Sequence, residues 1–196
     1  RQEEGLSISH AIDMWRSKIE QGEDPIHAGN AIDGANRSLP VLGLKGEKID
    51  QLRDIWIDAC LSFDRVTAER VLAQSFALYS PDVVCIEILQ KGLQVVGDKW
   101  YDGQGTIQQE HFTSALSVQR LEMLIAAAPP PSREERIVVA TAPRDYHVFS
   151  PLLITYLLRL RGWEVIYLGA DVPEVELETT ITQVDPRLVI ISAQLL

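Results

Sequence analysis

Thr141-Ala142-Pro143-Arg144-Asp145-Tyr146-His147-Val148-Phe149-Ser150-Pro151 is the stretch whose reading decides the fold. It follows a strand-like run from Arg136 to Ala142 and leads into a helical run from Pro151 to Arg161. Ser150 is expected as the N-cap of that helix and Pro151 as its first residue. The loop between carries a carboxylate and an imidazole two residues apart and is held at both ends. In an open α/β sheet, ligands bind at loops leaving the carboxyl ends of strands. Asp145 is close enough in sequence to accept a ring N–H from His147, which would fix the tautomer and raise the basicity of the other ring nitrogen, as carboxylates do behind metal-ligating histidines. A lone Asp-x-His in a loop is more often a capped turn than a ligand, and both readings stand on these residues alone.

Downstream the pattern alternates: a strand from Glu164 to Gly169, a helix from Val175 to Val184 and a strand from Leu188 to Ala193. Strand–helix alternation at this spacing predicts a parallel sheet with right-handed crossovers. Upstream it is helical. Helices are expected from about Glu47 to Ser62 (Ile49, Leu52, Trp56, Ile57 and Cys60 on one side) and from Asp64 as cap to Leu78. A third runs from Ser80-Pro81 to Trp100, and a fourth from the capping box Thr106-Ile107-Gln108-Gln109 to Ala128. Short connections imply antiparallel neighbours and hence a four-helix bundle. Pro129 to Glu135 reads as a stiff polar hinge.

Trp100 ends the third helix and, after nine intervening residues, Glu110 and His111 follow in the first turns of the fourth. The turn Tyr101-Asp102-Gly103-Gln104-Gly105 brings the three to one end of the bundle. A flat aromatic face beside two directed polar groups suits a ligand. It equally suits a bundle-end staple with two solvated first-turn residues.

The chain has 196 residues, 46% hydrophobic and 23% charged, as in ordinary globular proteins, with length for two small domains. A net charge of −10 leaves no electrostatic footprint for nucleic acid, so any DNA contact is expected from chain not present here. No apolar run reaches about 18 residues and the N-terminus lacks a signal pattern, so a cytoplasmic protein without membrane contact is expected. Cys60 and Cys85 lie in helical patterns without metal or redox spacing and read as buried thiols. No nucleophile sits in an activating context and there is no phosphate loop, so independent enzymatic activity is not expected.

Two resemblances join these observations. Asp145-x-His147-x-x-Ser150, forty-one residues, then Ser192, resembles the cobalamin-binding domain shared by methionine synthase, the corrinoid proteins and the mutases. The resemblance implies His147 as lower cobalt ligand, Asp145 as its partner, and Ser150 and Ser192 at the slot for the displaced dimethylbenzimidazole tail. Ser150 departs from the family's Gly, and Gln194 from its Leu. Trp100, nine residues, Glu110-His111 is similar to the light-sensing cobalamin regulators of the CarH and LitR type, which implies that the three residues cap the upper face of adenosylcobalamin. Tyr101 stands where that family has a His that takes the upper cobalt position after light; a phenol is a poor substitute. Glu4 to Ile12 resembles the closing helix of a MerR-type DNA-binding domain.

The organisation implied is a MerR tail at 1–20, a linker at 21–46, a bundle at 47–128 capping the upper face of the cofactor, and an incomplete Rossmann-like cobalamin domain at 136–196. Since the resembling family has five strands in the order 3-2-1-4-5, the chain is expected to stop in mid-fold with its first strand at a naked edge. The function implied is that of an adenosylcobalamin light sensor in a transcriptional regulator, changing oligomeric state and DNA binding on photolysis, with partners in DNA and further copies of the chain. The alternative is a corrinoid protein carrying a methyl group for a methyltransferase.

Overall fold

The computed structural model describes residues 48–194 and, ahead of them, residues 17, 18, 20 and 21. But for those four, the expected MerR-like tail and linker lie outside the described residues. The chain divides into two compact units, Arg1–Leu44 and Lys45–Leu196; the second is described here.

Its first half is helical: α1 (Ile49–Leu61), α2 (Arg65–Leu78), α3 (Pro81–Val84), a π-helical turn (Cys85–Gln90), α4 (Lys91–Tyr101) and α5 (Ile107–Ala126). The starts follow the side chains foreseen for them. Asp64 accepts from Thr67 N at 3.0 Å, and Thr106 and Gln109 exchange bonds of 3.2 and 2.7 Å across the first turn of α5. Gln109 also donates from Nε2 to the carbonyl of Leu61 at 2.6 Å, tying the start of α5 to the end of α1. Because α1 packs on α2, the π turn, α4 and α5, its inward residues Leu52, Trp56 and Cys60 are wholly buried.

The π turn was not legible in sequence, and it has two physical supports. A widened turn disturbs the i→i−4 ladder, and the carbonyl of Glu87 accepts from Arg53 Nη1 at 3.1 Å. Two residues past the turn, Gly92 lies against Trp56: a Cβ there would come within 2.5 Å of the indole ring. Cys60 and Cys85 are free and buried, and burial pushes each thiol up to about 12, so both stay protonated.

The second half is β1 (Arg136–Thr141), α6 (Phe149–Arg159), β2 (Glu164–Tyr167), a 3-10 turn (Glu174–Glu176), α7 (Leu177–Val184) and β3 (Leu188–Ser192). All three strands are parallel, in the order β2-β1-β3. This corrects the expected order, in which the first strand lay at an edge and the second beside the third. Instead β1 is central, with Arg136 opposite Glu164 on one side and Thr141 opposite Ser192 on the other. Burial gives the reason: from Ile137 to Thr141 every residue of β1 is buried, whereas β2 and β3 are nowhere fully buried. The most apolar strand takes the position paired on both sides. The chain crosses from β1 to β2 in one direction and from β2 back past β1 to β3 in the other, so right-handed crossovers send α6 and α7 to opposite faces.

One further expectation is corrected. The helix after the loop begins at Phe149 with Val148 at the cap position and no side-chain cap, so Ser150 is not the N-cap. Pro151 falls at the third helical position, where its missing N–H is still harmless because the first four donors of a helix have no internal partner. The Pro129–Glu135 segment is pinned at its far end: Ser132 and Arg133 both donate to the carbonyl of Gly162, and the Arg133 guanidinium lies 4.6 Å from the Trp163 ring centre. α5 packs directly on α6, so the helical half sits against the sheet layer. No helix of the described residues is long and apolar enough to cross a membrane.

Gly92→Ala tests the Trp56 contact. Ala is favoured over Gly in a helix by about 1 kcal/mol, while overpacking a close-packed core costs about 1–3 kcal/mol. A net loss of up to about 2 kcal/mol in urea unfolding is expected; a gain would show that the indole moves aside freely.

Candidate functional site

The carboxyl ends of β1 and β3 meet at the point where successive crossovers leave β1 in opposite directions, the position at which open α/β sheets bind ligands. The loop after β1 is drawn across this point by Asp145. One carboxylate oxygen accepts from the backbone N–H of His147 at 2.9 Å and faces the ring Nδ1 at 2.7 Å. The other accepts from the N–H of Gln194, beyond β3, at 2.8 Å. The carboxylate is 7% exposed and the His147 side chain 49%. Burial pushes the acid up, but the N–H groups of His147 and Gln194 and the His147 ring together outweigh it and hold Asp145 below the usual carboxylate range. An ionised acceptor at Nδ1 makes that nitrogen the donor and leaves Nε2 as the ring's free lone pair.

A second set of bonds supports the loop from behind. The Thr141 hydroxyl donates to the carbonyl of Asp145 at 2.6 Å and accepts from Asp171 N at 2.8 Å. The Asp171 carboxylate accepts from Arg144 N at 2.7 Å and from the Tyr146 hydroxyl at 3.0 Å, and these donors hold it below the usual range. Thr141, Tyr146, Asp171 and the backbone of Gln194 were not foreseen as site groups. The one available signal was Asp171's place in the turn Leu168 to Pro173.

Ser192 ends β3, its carbonyl accepting from Ala142 N at 2.8 Å, and is half-buried; Ser150 is exposed in the first turn of α6. At the other constellation, Trp100 is 44% exposed near the end of α4. The hairpin that follows is closed by Gly103 N to Trp100 O and Gln104 N to Lys99 O, and α4 packs on α5. Glu110 is engaged on both oxygens, by His111 Nδ1 and by the Ser114 hydroxyl, each at 2.6 Å. Among the described residues no hydrogen bond or ion pair joins this group to the Asp145–His147 group.

Among the described residues no three His, Cys, Asp or Glu side chains converge as a metal cage. His147 can therefore offer a metal one nitrogen, and the metal must bring its remaining donors. A metal that arrives already carrying most of its ligands meets that requirement.

Comparison with known proteins points the same way. Residues 52–125 match the family model described as B12 binding domain. The chain is 30% identical over 193 residues to the HTH-type transcriptional repressor CarA of Myxococcus xanthus, covering 97% of this chain and 57% of that protein. It is 27% identical over 187 residues to CarH of the same organism, covering 95% and 59%. It is 25% identical over 146 residues to trimethylamine corrinoid protein 1 of Methanosarcina mazei, covering 69% and 65%. The chain thus spans under three fifths of either repressor. The structure of the Methanosarcina barkeri monomethylamine corrinoid protein shares its fold, with a TM-score of 0.60 at 20% identity, over 75% of this chain and 69% of that one. Residues 52–125 are thus similar to a B12 binding domain, and the chain as a whole is similar to parts of the CarA and CarH repressors and of a trimethylamine corrinoid protein.

The Asp145 geometry makes a prediction independent of any ligand. In the neutral ring of His147 the proton should reside on Nδ1, as read by long-range proton–nitrogen NMR, and Asp145→Ala should abolish that preference. Loss of three donors' acceptor is expected to cost about 2–4 kcal/mol in urea unfolding. A wild-type ring protonated on Nε2 would contradict the arrangement.

Proposed function

We propose that this chain is the adenosylcobalamin-binding light-sensor module of a transcriptional regulator, changing oligomeric state and DNA binding when light cleaves the bond between cobalt and the adenosyl group. The observation that carries the reading is the Asp145–His147 pair, an imidazole fixed by a buried carboxylate at the crevice between β1 and β3. When bound, adenosylcobalamin supplies a cobalt–carbon bond that visible light breaks, chemistry that resides in the cofactor.

The chain's own residues bind, orient and shield. His147 offers Nε2 as the lower donor, and Asp145 keeps the proton on Nδ1. Ser150 and Ser192 would hold the displaced tail. Trp100 presents an indole face to the upper side, and the paired Glu110 and His111 supply directed hydrogen-bonding groups for a polar adenosyl group. The helical half is the element whose displacement would be read as a change in oligomeric state. DNA contact would fall to a MerR-type N-terminal domain, of which residues 1–20 are read as the tail. Similarity to two repressors over 97% and 95% of this chain supports a regulator. The similarity to a trimethylamine corrinoid protein favours the second reading, a methyl carrier serving a methyltransferase.

Visible absorption spectra of protein loaded with adenosylcobalamin, before and after green light, test the leading reading together with size-exclusion light scattering. A spectral change accompanied by a change in mass is expected; a spectral change with no change in mass contradicts the regulatory part. His147→Ala should shift the bound cofactor to a base-off spectrum and weaken binding, and an unaltered spectrum would remove His147 as ligand.

Trp100→Ala and Glu110→Ala should each erase a preference, on the order of tenfold, for adenosylcobalamin over methylcobalamin in equilibrium binding, a size reasonable for one stacking face or one charged hydrogen bond. Equal affinity of the unmodified chain for the two cofactors would favour the methyl carrier.

A further inference from the structure

We propose that Asp171, on the loop after β2, is a positioning residue for His147: its side chain locks the turn formed by Arg144 and Tyr146 and so fixes the Asp145 carboxylate that presents the imidazole. The inference rests on the cobalamin reading of the site and extends it to a residue outside the Asp-x-His loop.

Arg144 and Asp171 both have left-handed backbone, with φ of 67° and 52°, a conformation that side-chain-bearing residues adopt at a cost and keep only where the surroundings hold them. Here they hold each other. Both Asp171 oxygens reach across to the first loop, one to Arg144 N and one to the Tyr146 hydroxyl, the two residues that flank Asp145. The Asp171 N–H goes the same way, to the Thr141 hydroxyl and the Asp145 carbonyl at 2.8 and 3.1 Å. Tyr146 is 69% exposed, so its ring is not core packing, yet its hydroxyl is committed to Asp171. Every polar contact of Asp171 described above therefore bears on the residues around Asp145. With those residues held, the Asp145 carboxylate has little freedom to swing relative to the His147 ring, and less ordering remains to be done when a metal meets Nε2.

The experiment uses the full chain titrated with aquocobalamin, with visible spectra reporting whether histidine is on the metal, the His147→Ala spectrum as reference for histidine-off, and far-ultraviolet circular dichroism for folding. Asp171→Ala should lower affinity about tenfold and move the bound spectrum toward that of His147→Ala while the dichroism is unchanged. Arg144→Gly added to Asp171→Ala should recover much of the loss, since glycine adopts the left-handed turn unaided. Wild-type affinity and spectrum in Asp171→Ala overturn the proposal. So does weaker binding without the spectral shift, or the absence of any recovery by Arg144→Gly. Should Asp171→Ala fail to fold, Tyr146→Phe decides: a smaller change of the same kind supports the lock, and none overturns it. If His147→Ala itself leaves the spectrum unaltered, the cobalamin assignment of His147 has failed and the Asp171 role falls with it. If His147→Ala alters it and Asp171→Ala does not, only the Asp171 role is lost.

Discussion

A single carboxylate, that of Asp145, joins the parts of the molecule on which its chemistry depends. It sits in the loop beyond a strand buried from Ile137 to Thr141, and stripping water from a charged carboxylate costs several kcal/mol. Three N–H donors offset that, each worth roughly 1.5–3 kcal/mol to a charged acceptor: two from His147 and one from Gln194. The donors come from both sides of the crevice between β1 and β3, so the balance is met only when the loop after β1, the end of β3 and the imidazole are all in place. The buried charge and the oriented histidine are one interaction, and neither survives alone.

The helical half depends on an apolar counterpart. Trp56 is completely buried and its indole N–H has no hydrogen-bond partner among the described residues, so among them packing holds the ring, against the bare backbone of Gly92. Around it α1 gathers the other helices, while α5 faces α6 of the sheet layer. Polar pairs lie toward the margins of the helical half: part-buried Arg120 pairs with Glu69, and exposed Arg65 with Gln119. Such exposed and half-exposed pairs contribute little each, which leaves apolar contact as the chief bond between the helices.

What could be read from the sequence was what neighbouring residues decide among themselves. The Asp64 cap, the Thr106–Gln109 box and the Asp145–His147 bond all close within three residues. The alternation of strands and helices after Arg136 follows from local pattern too. Strand order does not, because it depends on which strand can be buried on both faces, a property of the assembled sheet; β1 won the centre and the expected edge position was wrong. Ser150 looked like a cap because it precedes a proline, yet Val148 takes that position, and a proline within the first turn is compatible with either start. Asp171 was invisible as a partner of the site because its contacts span 25–30 residues. The π turn escaped for a related reason: its causes, Arg53 and Trp56, lie on another helix.

That turn has a further consequence for the aim of Trp100. Between the point where Trp56 grips Gly92 and the end of α4 the helix is regular, whereas Cys85–Gln90 holds more residues per turn than a regular helix would. Each residue of an α-helix advances the chain by 1.5 Å and about 100°. Closing the wide turn by passing one residue along would rotate the Trp100 indole through more than a quarter circle while shifting it by less than the width of an atom. The direction of that indole is thus indexed by a count of residues, like a tooth on a ratchet, and the anchor that stops the count from slipping is the seat of a buried tryptophan on a glycine.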